Sequence, residues 1–374
     1  MARRQLWAIT LCVALASPLG GSEAGWRGMF DVEKRRSELA TSAMRPVRAA
    51  CLATARDPTW VNAEPILALR TTDGYGTDRA SLPFSWAMMV LSSRALAGDP
   101  DSRSDLAKIL VRWARAGAFA QSEKVHDAYY ALKRTLIPTI IAYQVVRPAL
   151  PQRDAEAVAA WLDQLVRMID HRFNGDVDRN NHRTLADSVI ALWGSVSAND
   201  DLYAIGRSGF DATLVQTRDD GSLPLETRRG SRALWYMRQT LGSLTVIAEV
   251  AAGRDEDLYS LVPSKTGEKQ TAPLTRVSGY FANLVAAPDL VLPFAAENYI
   301  PGPSVNFAEQ DLGFSNKRSN GRHYLAFLEA VEARRLDAFP YRRLRRVLET
   351  EAAPERPLFD EFAGGNATCF WRQP

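Results

Sequence analysis

The sequence has few cysteines, few histidines and almost no long apolar runs, and each shortage excludes a class of protein. Three cysteines and four histidines among 374 residues follow none of the spacings that zinc sites use, so no metal is predicted. No G-x-S-x-G elbow, phosphate-binding loop or dinucleotide fingerprint occurs, and no cofactor is predicted either. A net charge of only +3 gives no broad attraction to nucleic acid, which is therefore not an expected partner.

One apolar run stands at the N-terminus. Two arginines precede the apolar residues 6–16, and Ser-Glu-Ala at 22–24 offers a small-x-small cleavage site. This order predicts a secretory signal peptide over residues 1–24, because the run is shorter than the ~20 residues that a membrane-spanning helix needs. We expect residues 25–374 to be exported to the periplasm, or secreted, without membrane insertion. An uncleaved anchor is the alternative.

Two cysteines remain beyond that segment, Cys51 and Cys369, one near each end of the exported chain. In an oxidising compartment an even pair suggests one disulfide, which would tie the C-terminal tail to the N-terminal region. Two free, buried thiols are the alternative.

Apolar residues recur with helical spacing along most of the chain. Residues 84–97 run up to a glycine with a proline just beyond, which is a helix-stop signal, and Ser104 is expected to cap the next helix. Alternating strand patterns are scarce, and the best example is the tail, Ala367 to Trp371. Successive helices joined by modest loops predict an all-α fold of antiparallel helix hairpins, closed as a bundle, a solenoid or an α/α toroid, in one domain over residues 25–374. Further predicted helices cover residues 158–169, 184–195, 233–252 and 324–333.

Two long irregular stretches, residues 57–82 and 288–322, interrupt the helical pattern. Loops of this length inside a compact fold are commonly functional, so lids over a site are expected here. Surface decoration is the alternative.

The first unusual polar cluster is Asp178-Arg-Asn-Asn-His182-Arg183, just before the helix predicted to begin near Thr184. Two adjacent amides before a histidine suit a core poorly, because each buried amide needs several hydrogen bonds. At a helix start facing a cleft, Asn181 could donate to a carboxylate while His182 acts as a base. A capping turn, with Asn181 or Thr184 as the cap, is the alternative.

The second cluster, Glu226-Thr-Arg-Arg-Gly-Ser-Arg232, opens the helix predicted from Ala233. Its arginines oppose the helix dipole, a conflict that an anionic ligand would relieve. Tyr236 lies one turn after Arg232, and a guanidinium beside a phenol favours the phenolate. The alternative is a surface cluster neutralised by Glu226 and by Asp219 or Asp220.

These clusters, in this order, carry a family resemblance. Asn180-Asn181-His182, followed some fifty residues later by Leu223-Pro-Leu-Glu-x-x-Arg229-Gly-x-Arg232-Ala-Leu-x-Tyr236 and then Ile247-Ala-Glu249, resembles the alginate lyase family of polysaccharide lyases. The tail from Gly364 to Arg372 is similar to that family's ending, and Gly76 to Ala80 is similar to its lid region.

The resemblance implies an incomplete α/α toroid with a long lid loop, and cleavage of a β-1,4-linked uronic-acid polymer by β-elimination without a metal. It implies that Asn181 and Arg232 neutralise the substrate carboxylate, while His182 and a tyrosine handle the proton transfers. The expected partner is therefore an anionic polysaccharide; oligomeric state is not predicted. Substrate-binding residues are expected to include Asn180, Arg183, Arg229, Gln239, Tyr75, Arg79, Tyr130 and Arg134.

One position departs from the family pattern. The family's catalytic tyrosine falls two helical turns after the arginine, where this chain has Gln239, which cannot act as an acid or base. Tyr236 is the predicted substitute, and Tyr129 or Tyr130 could supply the phenol from another helix. The lysine of the family's lid is also missing, with Asp73 near its place, so a uronan other than poly-mannuronate or a weakened enzyme fits the sequence.

The sequence is consistent with three functions. The leading one is a lyase acting on poly-mannuronate or poly-glucuronate. The second is a non-catalytic exopolysaccharide-binding or secretion protein on the same fold. The third is a glycoside hydrolase, which needs two carboxyl groups about 5–10 Å apart, with Asp127, Asp178 and Glu226 as candidates.

Overall fold

The computed structural model describes residues 27–70, 79–173, 179–260, 273–297 and 306–374, and most of these residues are in helices. The all-α prediction is therefore confirmed. Residues 1–24, predicted as a signal peptide, lie outside the described residues, as do Tyr75 and Asp178. In chain order the helices are α1 (Val32–Leu39), α2 (Arg45–Leu52), α3 (Leu82–Leu96), α4 (Pro100–Arg115), α5 (His126–Val146), α6 (Gln152–Phe173), α7 (Asn181–Ser197), α8 (Asp200–Leu214), α9 (Pro224–Thr227), α10 (Ala233–Ala252), α11 (Pro273–Ala286), α12 (Leu292–Ala295), α13 (Leu328–Ala333), α14 (Phe339–Val347) and α15 (Ala367–Trp371).

Short irregular turns and one small hairpin complete the described fold. Strands β1 (Phe359–Asp360) and β2 (Gly365–Asn366) pair antiparallel near the C-terminus. None of the described helices combines the length and apolar character needed to cross a bilayer. Single 3₁₀ turns cover Pro58–Asn62, Arg147–Ala149, Gly230–Arg232, Pro288–Val291 and Ala353–Glu355, and a π turn covers Leu348–Ala352.

Two local predictions were wrong. Helix α4 begins at Pro100 rather than after Ser104, because the Asp99 carboxylate accepts hydrogen bonds from the first free N–H groups of the helix. The tail expected as a strand, Ala367 to Trp371, is helix α15. Its first turn is capped by Asn366, whose side chain accepts from the backbone N–H of Cys369, so a capping amide outweighs the β-favouring residues.

Helix α7 is at the centre of the packing and contacts α5, α6, α8 and α10. Its contact with α8 is close because two glycines allow the backbones to approach. A Cβ on Gly194 would lie 2.2 Å from the backbone nitrogen of Tyr203, and one on Gly206 would lie 2.3 Å from that of Ala191. The resulting rigid pair fixes the start of α7, which reaches the cavity described below.

The C-terminal segment is tied to the N-terminal helices. Cys51 of α2 and Cys369 of α15 form a disulfide across 318 residues of sequence, as predicted. Arg35 of α1 adds a hydrogen bond from its Nε to the Cys369 carbonyl at 2.8 Å. The hairpin β1–β2 therefore lies between a covalent link and the helices that it packs against, α3 among them.

We expect the Cys51→Ser, Cys369→Ser double variant to unfold more readily than the oxidised wild type. Chain-entropy arguments give about 5 kcal/mol for closing so long a loop. Denaturant unfolding with and without a thiol reductant measures the difference. Reductant should weaken the wild type and leave the double variant unchanged, and equal sensitivity of both proteins would contradict the prediction.

Candidate active site

A cavity of about 410 Å³ lies where α5, α7 and α10 meet, with the C-terminal segment closing one side. Each of the three helices contributes polar or aromatic side chains, and four guanidiniums make its charge mainly positive. Such a combination suits an anionic ligand with several hydroxyl groups. The lining residues are Asp127, Tyr130, Arg134, Asn180, Asn181, His182, Arg229, Arg232, Trp235, Tyr236, Arg238, Gln239, Tyr324 and Phe362.

The first turn of α7 is fixed by a cap and by a buried lysine. Asn180, not Asn181 or Thr184, is the N-cap, and its side chain accepts from the backbone N–H of His182 at 2.9 Å. Lys133 of α5 is fully buried, donates from its Nζ to the His182 carbonyl at 2.7 Å, and lies 3.6 Å from the Phe173 ring centre. Burial lowers the pKa of Lys133 well below its ordinary value.

Three helices are joined through one amide. Gln239 of α10 accepts at its Oε1 from the Asn181 Nδ2 at 2.5 Å and donates from its Nε2 to the Tyr130 hydroxyl oxygen at 2.9 Å. The Oδ1 of Asn181 is buried and has no hydrogen-bond partner among the described residues. The Tyr130 ring lies 4.8 Å from the His182 ring, centre to centre. An amide, an imidazole and a phenol therefore meet at one place.

Two arginines from the start of α10 lie on the same cavity. Arg229 covers the ring of Tyr236, with the guanidinium carbon 4.0 Å from the ring centre. Arg232 is half exposed and faces Asp311, with 3.4 Å between its Nε and the Oδ2 of that carboxylate. The segment that carries Asp311 is held to the preceding turn, since the Asp311 N–H donates to the Ser231 carbonyl at 2.8 Å.

One wall of the cavity includes arginines that belong to a buried ionic network. Arg238 is 1% exposed and lies between the rings of Tyr324 and Phe362, at 4.9 and 4.8 Å from their centres. Behind the arginines lie two buried carboxylates: Asp360 is 3.5 Å from Arg238, and Glu361 is 3.3 Å from Arg134. Burial raises the pKa of Asp360 to about 7, whereas the guanidiniums of Arg134 and Arg322 outweigh burial and lower that of Glu361.

Glu226 is buried below the arginine cluster instead of neutralising it at the surface. It accepts from the Thr240 hydroxyl at 2.8 Å. Burial raises the pKa of Glu226 to about 7, although the Thr240 hydrogen bond and the charge of Arg229 act in the opposite direction. Asp219 faces Arg276 at 4.0 Å, so the alternative of a surface cluster neutralised by Glu226 and Asp219 is wrong.

Most of the residues expected at the site share this cavity. Asp127, a hydrolase candidate, lines it too, and Glu226 does not. The expected residues that line it are Asn180, Asn181, His182, Arg229, Arg232, Tyr236, Gln239, Tyr130 and Arg134.

Three expectations need correction. Arg183 is buried, and its Nε donates to the Asp187 carboxylate at 2.9 Å, so it is a structural residue of α7 and not a substrate contact. Arg79 is exposed and does not line the cavity. Tyr129 is 3% exposed in the core near Phe173 and does not line it either.

Several important residues were missed from the sequence. Lys133 and Arg238 read as ordinary helix residues, although a charged residue inside an apolar helical stretch is a signal that could have been used. Trp235, Tyr324 and Phe362 carried no motif, because their place on the cavity depends on tertiary packing. No group of three or more His, Cys, Asp or Glu residues within the described ranges is arranged to hold a metal ion.

Comparison with known proteins identifies the family of this chain. The alginate lyase family model matches residues 95–285, half of the chain. The chain belongs to the alginate lyase family. This family member is 30% identical over 167 residues to a polysaccharide lyase of Stenotrophomonas maltophilia, which covers 44% of the chain and 50% of that protein. It is 27% identical over 169 residues to an alginate lyase of Pseudomonas syringae pv. tomato, covering 43% and 45%. The chain thus spans about half the length of the curated relatives it matches.

Solved alginate lyases share the fold. A variant of alginate lyase A1-III complexed with a tetrasaccharide superposes with a TM-score of 0.72 at 21% identity, over 93% of this chain and 95% of that one. An alginate lyase from Bacteroides ovatus gives 0.61 at 12% identity, over 93% and 99%. This family member is therefore an α/α toroid, as the resemblance implied.

The raised pKa of Glu226 makes a stability prediction. Between about pH 4.5 and pH 7 the carboxyl is protonated when folded and ionised when unfolded, so lowering the pH favours the folded state. Relative to the Glu226→Gln variant, the free energy of unfolding of the wild type should rise by about 1.4 kcal/mol for each unit by which the pH is lowered over this range. Urea unfolding of both proteins at pH 5, 6, 7 and 8 measures the difference. A pH-independent difference would rule out an elevated pKa at Glu226.

The Asp311–Arg232 pair makes a prediction about ligand binding. Asp311→Asn keeps the side chain's acceptor oxygen but removes the charge that competes for Arg232. We expect KM for an anionic polysaccharide to fall by about two- to fivefold, the range for an exposed ion pair. Glu309→Gln removes a charge two residues away and is the matched control. A similar effect in both variants would indicate general charge repulsion instead.

Proposed function

We propose that this chain is a polysaccharide lyase that cleaves a β-1,4-linked uronic-acid polymer by β-elimination and leaves 4,5-unsaturated ends. Poly-mannuronate and poly-glucuronate are the proposed substrates. The observation that carries the proposal is the shared cavity, in which Asn181, His182 and Arg232 come from α7 and the start of α10. Membership of the alginate lyase family supports the same reaction.

The reaction requires groups that bind the substrate carboxylate and stabilise its charge. The C5 proton of a uronate is weakly acidic because the neighbouring carboxylate is already negative, and removing it creates a second charge. The Arg232 guanidinium and the Asn181 amide stabilise that developing charge. His182, which directly follows Asn181 in the first turn of α7, receives the proton. The remaining guanidiniums of the cavity bind the carboxylates of neighbouring sugars.

The site of action is part of the proposal. Residues 1–24 have the sequence pattern of a secretory signal peptide, and the Cys51–Cys369 disulfide suits an oxidising compartment. We propose that the protein acts in the periplasm or is secreted.

The test is a panel of purified polymers: poly-mannuronate, poly-guluronate, poly-glucuronate and a neutral glucan. We expect the wild type to produce ultraviolet-absorbing, unsaturated oligosaccharides from at least one polyuronate and none from the glucan. His182→Ala should abolish the product without changing the thermal unfolding midpoint. His171→Ala, which alters an exposed histidine of α6, is the matched control and should keep full activity.

Product masses separate the other functions. Products heavier by one water, without new absorbance, would identify a hydrolase. Saturable binding of the polyuronates with no shortening of the chains would identify the non-catalytic binding protein. Either result would overturn the proposed elimination.

A further inference from the structure

The groups that transfer protons in the proposed reaction do not account for the whole cavity. The histidine and tyrosine that are substituted in two structures of alginate lyase A1-III are 54 residues apart, as His182 and Tyr236 are in this chain. The family's tyrosine position is therefore filled by Tyr236 and not by Gln239, which corrects the expectation from the motif spacing. Two further arginines of the lining, Arg134 and Arg238, then have no part in the proton transfers.

The wall that carries these two arginines holds more positive than negative charge. Three guanidiniums, those of Arg134, Arg238 and Arg322, face the carboxylates of Asp360 and Glu361. Glu361 is shared by Arg134 and Arg322, and Asp360 lies 3.5 Å from Arg238. One positive charge of this network therefore has no matching negative charge within it, and burying an unmatched charge is costly.

Both arginines also keep hydrogen-bond donors without a partner. The Nε of Arg134 and the Nε of Arg238 are buried and make no hydrogen bond among the described residues. Aromatic rings flank the two guanidiniums, since Arg134 lies 5.5 Å from the Tyr130 ring centre and Arg238 lies 4.8 Å from that of Phe362. Buried donors are normally satisfied, so these two indicate that a group with acceptor oxygens binds beside them.

A single phenol ring separates Arg134 from the imidazole of the proposed reaction. The Tyr130 ring centre is 4.8 Å from that of His182 and 5.5 Å from the guanidinium carbon of Arg134. A pyranose is also a six-membered ring, so this separation suits carboxylates on two adjacent sugars better than two groups on one sugar. A polymer with acidic neighbours can therefore reach both groups at once.

We infer that Arg134 binds the carboxylate of the sugar adjacent to the one that loses its C5 proton, and that Arg238 strengthens this contact with a second positive charge. The inference rests on the proposed β-elimination and names its substrate class, a polymer in which neighbouring sugars both carry carboxylates. Arg134 is the group that contacts the ligand, because its side chain is 14% exposed, whereas that of Arg238 is 1% exposed. A guanidinium suits this task because it can donate two parallel hydrogen bonds to a carboxylate.

Asp360 opposes the binding of that second carboxylate. It is fully buried, lies 3.5 Å from Arg238 and carries the same charge as the ligand group. Removing its charge should therefore strengthen binding, whereas removing the charge of Arg134 should weaken it. Two substitutions in one network thus have opposite expected effects, which a general loss of structure would not produce.

The first test measures binding of a mannuronate and a glucuronate hexasaccharide by calorimetry, in the His182→Ala background so that no ligand is cleaved. Arg134→Gln should raise the Kd about ten- to hundredfold, the range for a hydrogen bond to a charged group. Asp360→Asn, measured at a pH where the Asp360 carboxyl is ionised, should lower the Kd about twofold or more. Unchanged binding in Arg134→Gln, or weaker binding in Asp360→Asn, would overturn the inference.

Arg318→Gln is the matched control for that titration. Arg318 is exposed and lies 5.7 Å from the ring centre of Trp235, which lines the cavity, but Arg318 does not line it. Its substitution removes the same charge from the neighbourhood and should change the Kd by less than about twofold. Equal weakening in Arg318→Gln and Arg134→Gln would show general attraction instead of a subsite. Glu361 keeps Arg322 as a partner in Arg134→Gln, and the thermal unfolding midpoint checks that this variant is folded.

The second test changes the polymer instead of the protein. Reducing part of the carboxylates of a polyuronate to alcohols gives acidic sugars with either acidic or neutral neighbours on an unchanged backbone. Mass spectrometry of the unsaturated products identifies the neighbours of each cleaved bond. The wild type should cleave mainly beside acidic neighbours, and Arg134→Gln should lose that preference. Wild-type cleavage without regard to the neighbour would contradict the subsite.

Failure of this inference is distinguishable from failure of the proposed function. If the wild type makes no unsaturated product from any polyuronate, the lyase function is wrong, while the hexasaccharide titration still measures the subsite. If the wild type makes that product and Arg134→Gln binds the hexasaccharides normally, only the subsite is wrong.

Discussion

The first turn of α7 is the constraint on which the candidate site depends. Its backbone is held by the Asn180 cap and by the side-chain nitrogen of Lys133, which is buried beneath it. Burying this amine is costly, and the His182 carbonyl, the Phe173 ring and the nearby charge of Asp187 recover only part of the cost, since burial still lowers the pKa of Lys133 well below its ordinary value. Without that support, the adjacent Asn181 and His182 would not be fixed relative to the arginines of α10.

The second constraint is the placement of residues along α10. Its start carries the cationic turn, and its second turn carries Gln239, so one helix presents both the charge and the amide to the cavity. The amide joins α10 to α5 and α7 at the same point. A glutamine suits this place because its amide oxygen accepts from Asn181 while its amide nitrogen donates to Tyr130.

Helices and motifs were predictable from the sequence where the signal was local. Apolar spacing located α7 and α10, and unusual polar clusters located Asn181, His182 and Arg232. Arg183 was misassigned because neighbours in sequence point to different sides of a helix, and its partner Asp187 one turn later sets its direction. The C-terminal contributions of Tyr324 and Phe362 could not be found, because they reach the cavity only through contacts between distant segments.

The covalent link between Cys51 and Cys369 has a consequence for when the wall of the cavity becomes fully constrained. The hairpin that it secures carries Asp360 and leads into Glu361 and Phe362, which back one wall of the cavity. In a reducing compartment that wall would be held by non-covalent contacts alone, such as the Arg35 hydrogen bond to the Cys369 carbonyl and the ion pair of Glu361 with Arg134. Formation of the disulfide therefore adds a covalent restraint to the part of the chain that carries this wall.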